Sequence, residues 1–210
     1  MSPRAARATL VGAVIALAGC GGAAASSQSA PPCPPASLPS SLLGVDDLPV
    51  AGFTVVEAAH PVDVTALVGG AGAAAAALRS DGLVSAALAH YFRQGIALDT
   101  ANGPVDVIVD AAQFPDAAAA GRAYDQTVAR RDAEPGAAVV STGPIGDSAH
   151  GDITLTAPAG GTPVVQYTVT FRAGAVLNSV TVRGRQGGTG VGDAVVLALR
   201  QARRQCGASP

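Results

Sequence analysis

The chain has 210 residues, a net charge of −2 with all 13 basic residues arginine, 3% aromatic residues and no tryptophan. That length suits one ordinary domain plus a short leader, and the absence of lysine in an alanine- and glycine-rich chain fits a GC-rich bacterial genome. The acidic balance and scarce aromatics argue against nucleic acid and against carbohydrate, which need positive charge or stacking platforms.

The first 19 residues read as a lipoprotein signal peptide. Arg4 and Arg7 precede an apolar run over 10–17 that ends in Leu17, Ala18, Gly19 and Cys20. Small residues before a cysteine form a lipobox, so Cys20 is the expected lipidation site and Gly19-Cys20 the expected cut. A spanning helix is the alternative, but it needs roughly twenty apolar residues. Losing Arg4 and Arg7 would take the mature chain to −4, because every acidic residue lies beyond Cys20. Stable anchoring takes two or more acyl chains, which a lipidated Cys20 supplies, so the expected location is the outer face of the cytoplasmic membrane in the cell envelope. With Cys20 lipidated, Cys33 and Cys206 remain in an oxidising compartment. A disulfide between them would close nearly the whole domain, worth about 5 kcal/mol by chain entropy. Two free thiols or part of a metal site are the alternatives, and no third ligand stands nearby.

Residues 20–38 form a flexible tether of alanine, serine and proline, and 39–206 one domain. A helical turn is predicted over 40–45 and a strand over 52–57. Asp63 can cap a helix that breaks at Gly69, Gly70 and Gly72 and continues over 73–78. Strands follow over 83–92 and 105–112. In the second, Val105, Val107, Val109 and Ala111 share one face, and Asp106, Ile108 and Asp110 share a solvated one. A helix over 115–131 buries Ala117, Ala120, Gly121, Tyr124 and Val128, with Arg122, Asp125, Gln126 and Arg130 outward. Short strands follow near 137–142, 151–156, 163–172 and 175–183. The last two make an antiparallel hairpin if Ala173 and Gly174 form its loop, with Tyr167 facing Val180 and Asn178 opposite Val169. A C-terminal helix over 191–205 buries Val191, Ala194, Val195, Ala198, Leu199 and Ala202, a stripe that Cys206 continues. Strands mixed with helices and no regular βαβ alternation give an α+β fold, a mainly antiparallel β-sheet with helices packed on it, its final β-hairpin followed by a C-terminal helix.

Several short motifs then line up in order. Leu43, Asp47, Leu48, Pro49, Gly52 and Phe53, the segment 114–120, Ile145 with Gly146, Asp147 and Ser148, and 169–182 with Phe171, Arg172 and Gly174 span most of 39–205. Together they resemble the extracellular sensor-like domain of actinobacterial receptor Ser/Thr kinases (the PknH-type extracellular domain) and related free-standing lipoproteins. The resemblance implies a sheet-and-helix domain, PsbP-like in shape, with a cleft for an extracytoplasmic ligand. Kinase-linked members carry two disulfides, whereas this chain can make one. The resemblance carries over no catalytic residue.

The chemistry-bearing residues favour binding over catalysis. Ser148 after Gly146 and Asp147, with His150 nearby, is the one hydrolase candidate, but Asp and Ser at such a site commonly form turns. The glycines of 187–192 lack a P-loop lysine and read as a turn with Asp193 at the helix start. His60, His90 and His150 show no metal-ligand spacing, and Asp106 and Asp110 on one strand face lie too far apart to share a proton. Arg200, Arg203 and Arg204 complement the dipole of the last helix, with anionic headgroups as an alternative partner. The expectation is a lipid-anchored, non-enzymatic binding or sensor-like domain with no cofactor or metal, its partner an unknown small molecule or lipid. An envelope accessory protein acting through protein contacts is the alternative. A ligand pocket would lie between sheet and helix, with Tyr91, Phe92 and Tyr167 as lining residues.

Overall fold

The computed structural model describes residues 37–205. The signal, Cys20, most of the tether, and both Cys33 and Cys206 lie outside the described residues, as does the bridge expected between them.

Ser37 opens α1 (Leu38–Ser41) by accepting the Ser40 amide on its hydroxyl. The turn therefore starts before the predicted 40–45 span, and a second short turn covers Val45–Asp47. β1 (Phe53–Val62) runs five residues beyond the predicted strand and is irregular, with register shifts between Val55 and Glu57 and between Glu57 and His60. Asp63 caps α2 (Val64–Leu67) through Thr65 and Ala66. The glycines separate α2 from α3 (Ala73–Ser80), as the sequence predicts. β2 (Ser85–Arg93) and β3 (Asp106–Gln113) lead to α4 (Ala117–Asp132), capped by Asp116. β4 (Ala138–Val140), β5 (Ser148–Thr156), β6 (Val164–Ala173), β7 (Val176–Arg185) and α5 (Val191–Gln205) complete the order.

The strands form one seven-stranded antiparallel sheet ordered β1-β2-β3-β7-β6-β5-β4, so the fold is the α+β arrangement read from the sequence. The hairpin of β6 and β7 exists, but its register is two positions from the predicted one. Ala173 faces Val176, Tyr167 faces Val182, and Asn178 faces Phe171. The reason is the loop. Gly174 takes the first of the two loop positions with φ +57°, a conformation that alanine at that place would adopt only with strain. A shift of two keeps every side chain on its face, so the burial pattern survives while the partners change.

One face of the sheet carries Ala87, Ala89, Val107, Val109, Val169, Phe171, Val180 and Val182, all buried, under α5 and the segment from Leu38 to Leu48. The fully buried line of α5 is Ala194, Leu197, Ala198, Gln201 and Gln205, rotated from the predicted stripe, with Val195, Leu199 and Ala202 flanking it. Two glutamines turn inward because the core offers them partners. Gln201 accepts the Leu43 amide at 2.9 Å, and Gln205 pairs reciprocally with buried Asn178. Arg200 and Arg204 donate to the Asp47 carbonyl and carboxylate. They bind the N-terminal segment to α5 instead of merely complementing its dipole.

Candidate functional site

The opposite face of the same strands is polar. Alternation and register place Leu88, Asp110, Ser179, Thr170 and His150 in one row across β2, β3, β7, β6 and β5. Neighbouring strands stand about 4.8 Å apart, so the row gathers five side chains from five separate segments. A parallel row holds Thr181, Thr168 and Asp152, where the two threonine hydroxyls lie 3.1 Å apart.

α4 and the α2–α3 pair cover one end of this face. Ala119, Ala120 and Ala123 pack with Val64, Ala75, Leu78, Ala112, Phe114 and Leu177 in a second core. The buried line of α4 is thus rotated from the predicted stripe, leaving Ala117 exposed and Tyr124 half-buried. Arg122, Asp125, Gln126 and Arg130 are exposed, as the sequence predicts, and two of them also make contacts. Arg122 pairs with buried Asp81 at 3.0 Å, and Arg130 borders a cleft.

That cleft has two adjoining parts. The outer is an apolar groove of about 290 Å³ between α3 and α4, lined by Val68, Ala74, Ala77, Leu78, Thr127 and Arg130 among others. The inner, about 60 Å³, has Asp110, Ser179 and Thr170 among its walls together with Arg130 and Arg131. Val68, Leu78, Thr127 and Arg130 border both parts, so the two lie side by side across these four side chains.

The inner part is electrostatically unsettled. Burial pushes the Asp110 carboxyl up to about 7, against the pull of Arg131, the Ser179 hydroxyl and Arg130. The predicted solvated face is therefore corrected at Asp110, whose carboxyl lies in the cleft. Asp152 is 1% exposed and also raised by burial, opposed by Arg131 at 3.4 Å and by His150. Among the described residues seven buried side-chain atoms have no hydrogen-bond partner: Thr170 Oγ1, Asp152 Oδ2 and His150 Nε2 on this sheet face, Arg131 Nε on α4, and Asp81 Oδ2, Arg93 Nε and Gln201 Nε2 elsewhere. Each such group costs about 1–3 kcal/mol until something pairs with it, and two of them, on Thr170 and Arg131, belong to residues that wall the inner part.

The three aromatics named from the sequence do not meet at the cleft. Tyr91 is buried in the α5-side core and donates to the Leu43 carbonyl at 2.6 Å. Tyr167 packs against the same core, and Phe92, 43% exposed, lies on the other face of β2. Neither part of the cleft is lined by any of them.

The other candidates resolve into separate places. Asp147 accepts the Gly174 amide at 2.8 Å and pairs with Arg172, so the segment with Gly146 braces the hairpin. A Cβ at Gly146 would come within 2.2 Å of the Arg172 carbonyl oxygen, which fixes glycine there. Ser148 and His150 share a face of β5, but no hydrogen bond joins them among the described residues. His150 Nε2 instead lies 3.0 Å from Asp132, out of hydrogen-bonding alignment. His90 meets Asp106 at 2.7 Å, whose other oxygen faces Arg183 at 3.4 Å, and His60 sits by exposed Glu57 on β1. Among the described residues no three histidine, cysteine or acidic side chains gather as a metal set. In the glycine-rich loop before α5, Asp193 accepts the Gly190 amide, closing a turn.

Thr170, Ser179, Arg130 and Arg131 escaped the sequence reading. For Thr170 and Ser179 the signal is the polar phase of the final hairpin, Thr168 and Thr170 alternating with Val169 and Phe171, and Ser179 and Thr181 with Val180 and Val182; the two arginines of α4 carry no such signal. Comparison with protein-family models and with curated proteins finds no match to this chain.

Proposed function

We propose that this chain is a lipid-anchored, extracytoplasmic binding domain of the cell envelope that holds a small molecule in the cleft between α3, α4 and the polar sheet face, and performs no chemistry on it. The observation that carries the reading is Thr170, fully buried with an unpartnered hydroxyl on the wall of a cavity that opens into an apolar groove. A buried hydroxyl with no partner in the fold gains one when a ligand arrives, so binding offsets a cost already present. The anchor follows from Cys20 and the signal before it, and the resemblance to sensor-like domains supports an extracytoplasmic ligand. The binding reading is favoured over hydrolysis because Ser148, His150 and an acid do not form a connected hydrogen-bonded set among the described residues. A protein partner is the second reading, favoured by Val55 and Val56, about half exposed on the irregular edge strand β1.

Residues 24–210, exported from an actinobacterial host and purified without detergent, should yield a stoichiometric small molecule or lipid in an organic extract read by mass spectrometry. A clean extract shifts the weight to the protein partner. Separately, the full chain should partition with membranes and carry a diacylglyceryl mass on Cys20, and Cys20→Ser should abolish both.

A further inference from the structure

The proposed pocket has a chemical asymmetry that names the class of its occupant. Its outer part is lined by alanine, valine and leucine side chains and suits a narrow aliphatic body. Its inner part is rich in hydrogen-bond donors. Thr170 offers an unpartnered hydroxyl and Arg131 an unpartnered buried Nε–H, while the Ser179 hydroxyl beside them is shared with Asp110. Arg130 stands where the two parts meet, and among the described residues its only ion-pair partner is Glu134 at 3.6 Å near the surface. Facing these donors is one acidic wall residue, Asp110. Asp152 is the neighbouring carboxylate, and its ion pair with Arg131 occupies that residue's terminal nitrogen, leaving Nε free to donate.

Resting on the reading that this cleft binds a ligand, we infer that the occupant is a single-chain amphiphile with a carboxylate head, its aliphatic body in the α3–α4 groove and its head among Thr170, Ser179, Arg130 and Arg131. A carboxylate accepts hydrogen bonds only, which matches a donor-rich recess, and it can pair with the two unpartnered donors on residues of that recess, Thr170 and Arg131. The Asp110 carboxyl, raised by burial, is protonated about half the time at neutral pH and then adds one more donor instead of repelling the head. A cationic head would meet two guanidinium groups, and an uncharged hydroxyl head would gain no charge-assisted pair with them.

Both cores close within the described residues, so residues 24–210 retain every described contact and serve for the test. Decanoate, decan-1-ol and decylammonium share a body and differ in head, and backbone amide shifts at Ala77, Thr127 and Thr170 report the cleft. Decanoate should bind about tenfold tighter than either of the others with shifts at all three positions, a charge-assisted hydrogen bond being worth that ratio. Arg130→Gln should weaken decanoate about tenfold while leaving decan-1-ol within twofold, and Thr170→Val should weaken decanoate several-fold without loss of fold. If decan-1-ol or decylammonium binds as tightly as decanoate at the same amides, the carboxylate assignment falls and the binding cleft stands. If none of the three moves these amides, both the assignment and the cleft as a small-molecule site fall.

Discussion

The two faces of the sheet are built from the same strands and have opposite characters. Phe171 and Thr170 are neighbours on β6, both fully buried. Phe171 lies in the α5-side core, where the internal polar groups Asn178, Gln205 and Tyr91 have partners and Gln201 uses its oxygen but leaves its Nε2 without one. Thr170 lies on the cleft side without one. The first face uses burial to stabilise the fold. The second carries more of the unsatisfied groups, on Thr170, Asp152, His150 and Arg131, as a surface shaped for a ligand does.

The contrast breaks most sharply with substitutions at those neighbours. Phe171→Ala should cost about 3–5 kcal/mol in urea unfolding, because it empties a fully packed position. Thr170→Val should be neutral or slightly stabilising, since the lost hydroxyl had no partner. Equal losses at both sites would erase the distinction between the faces.

Asp110 gives the next largest effect, and it depends on pH. Its folded carboxyl, at about 7, lies above the ordinary value of 3.8, so the folded chain holds the extra proton between those values. Stability from this group is then fully present below pH 4, declines as pH rises towards 7, and stays lost above it. Asp110→Asn should match the parent at pH 4 and exceed it by up to about 4 kcal/mol at pH 8, a ceiling set by the full shift. Urea titrations at the two pH values check the sign; a variant less stable at pH 8 would contradict a buried, raised carboxyl.

Smaller effects sharpen the same division. Gln201→Leu should cost about 1–3 kcal/mol by leaving the buried Leu43 amide without an acceptor, read as a lower unfolding midpoint. Val55→Thr, on the half-exposed edge strand, should stay within about 0.5 kcal/mol in the same assay.

The sequence made the α5-side face legible because period-two alternation reports burial directly. Val107, Val109 and Ala111 were assigned to their common face on that ground, and β6 and β7 to a hairpin. Pairing partners were less legible, since alternation is unchanged by a shift of two and only the left-handed Gly174 decides between the alternatives. The helices were offset because apolar periodicity places glutamine outside, whereas Gln201 and Gln205 are drawn in by the Leu43 amide and Asn178, groups remote in sequence. The cleft was hidden for a related reason. Polar residues alternating along a strand read as solvated unless something covers them, and the covering arginines of α4 lie about forty to fifty residues before Thr170 and Ser179. Aromatic residues drew attention as candidate lining, yet the groove is walled chiefly by small aliphatic side chains.

The most direct measurement compares organic extracts of the exported protein with those of Ala77→Trp, which places a large ring in the α3–α4 groove while leaving the α5-side core untouched. The account predicts a molecule present at one equivalent in the parent and lost from a variant of unchanged secondary structure. Retention of the same molecule by both proteins, or a clean extract from each, would contradict the assignment of the cleft as the binding site.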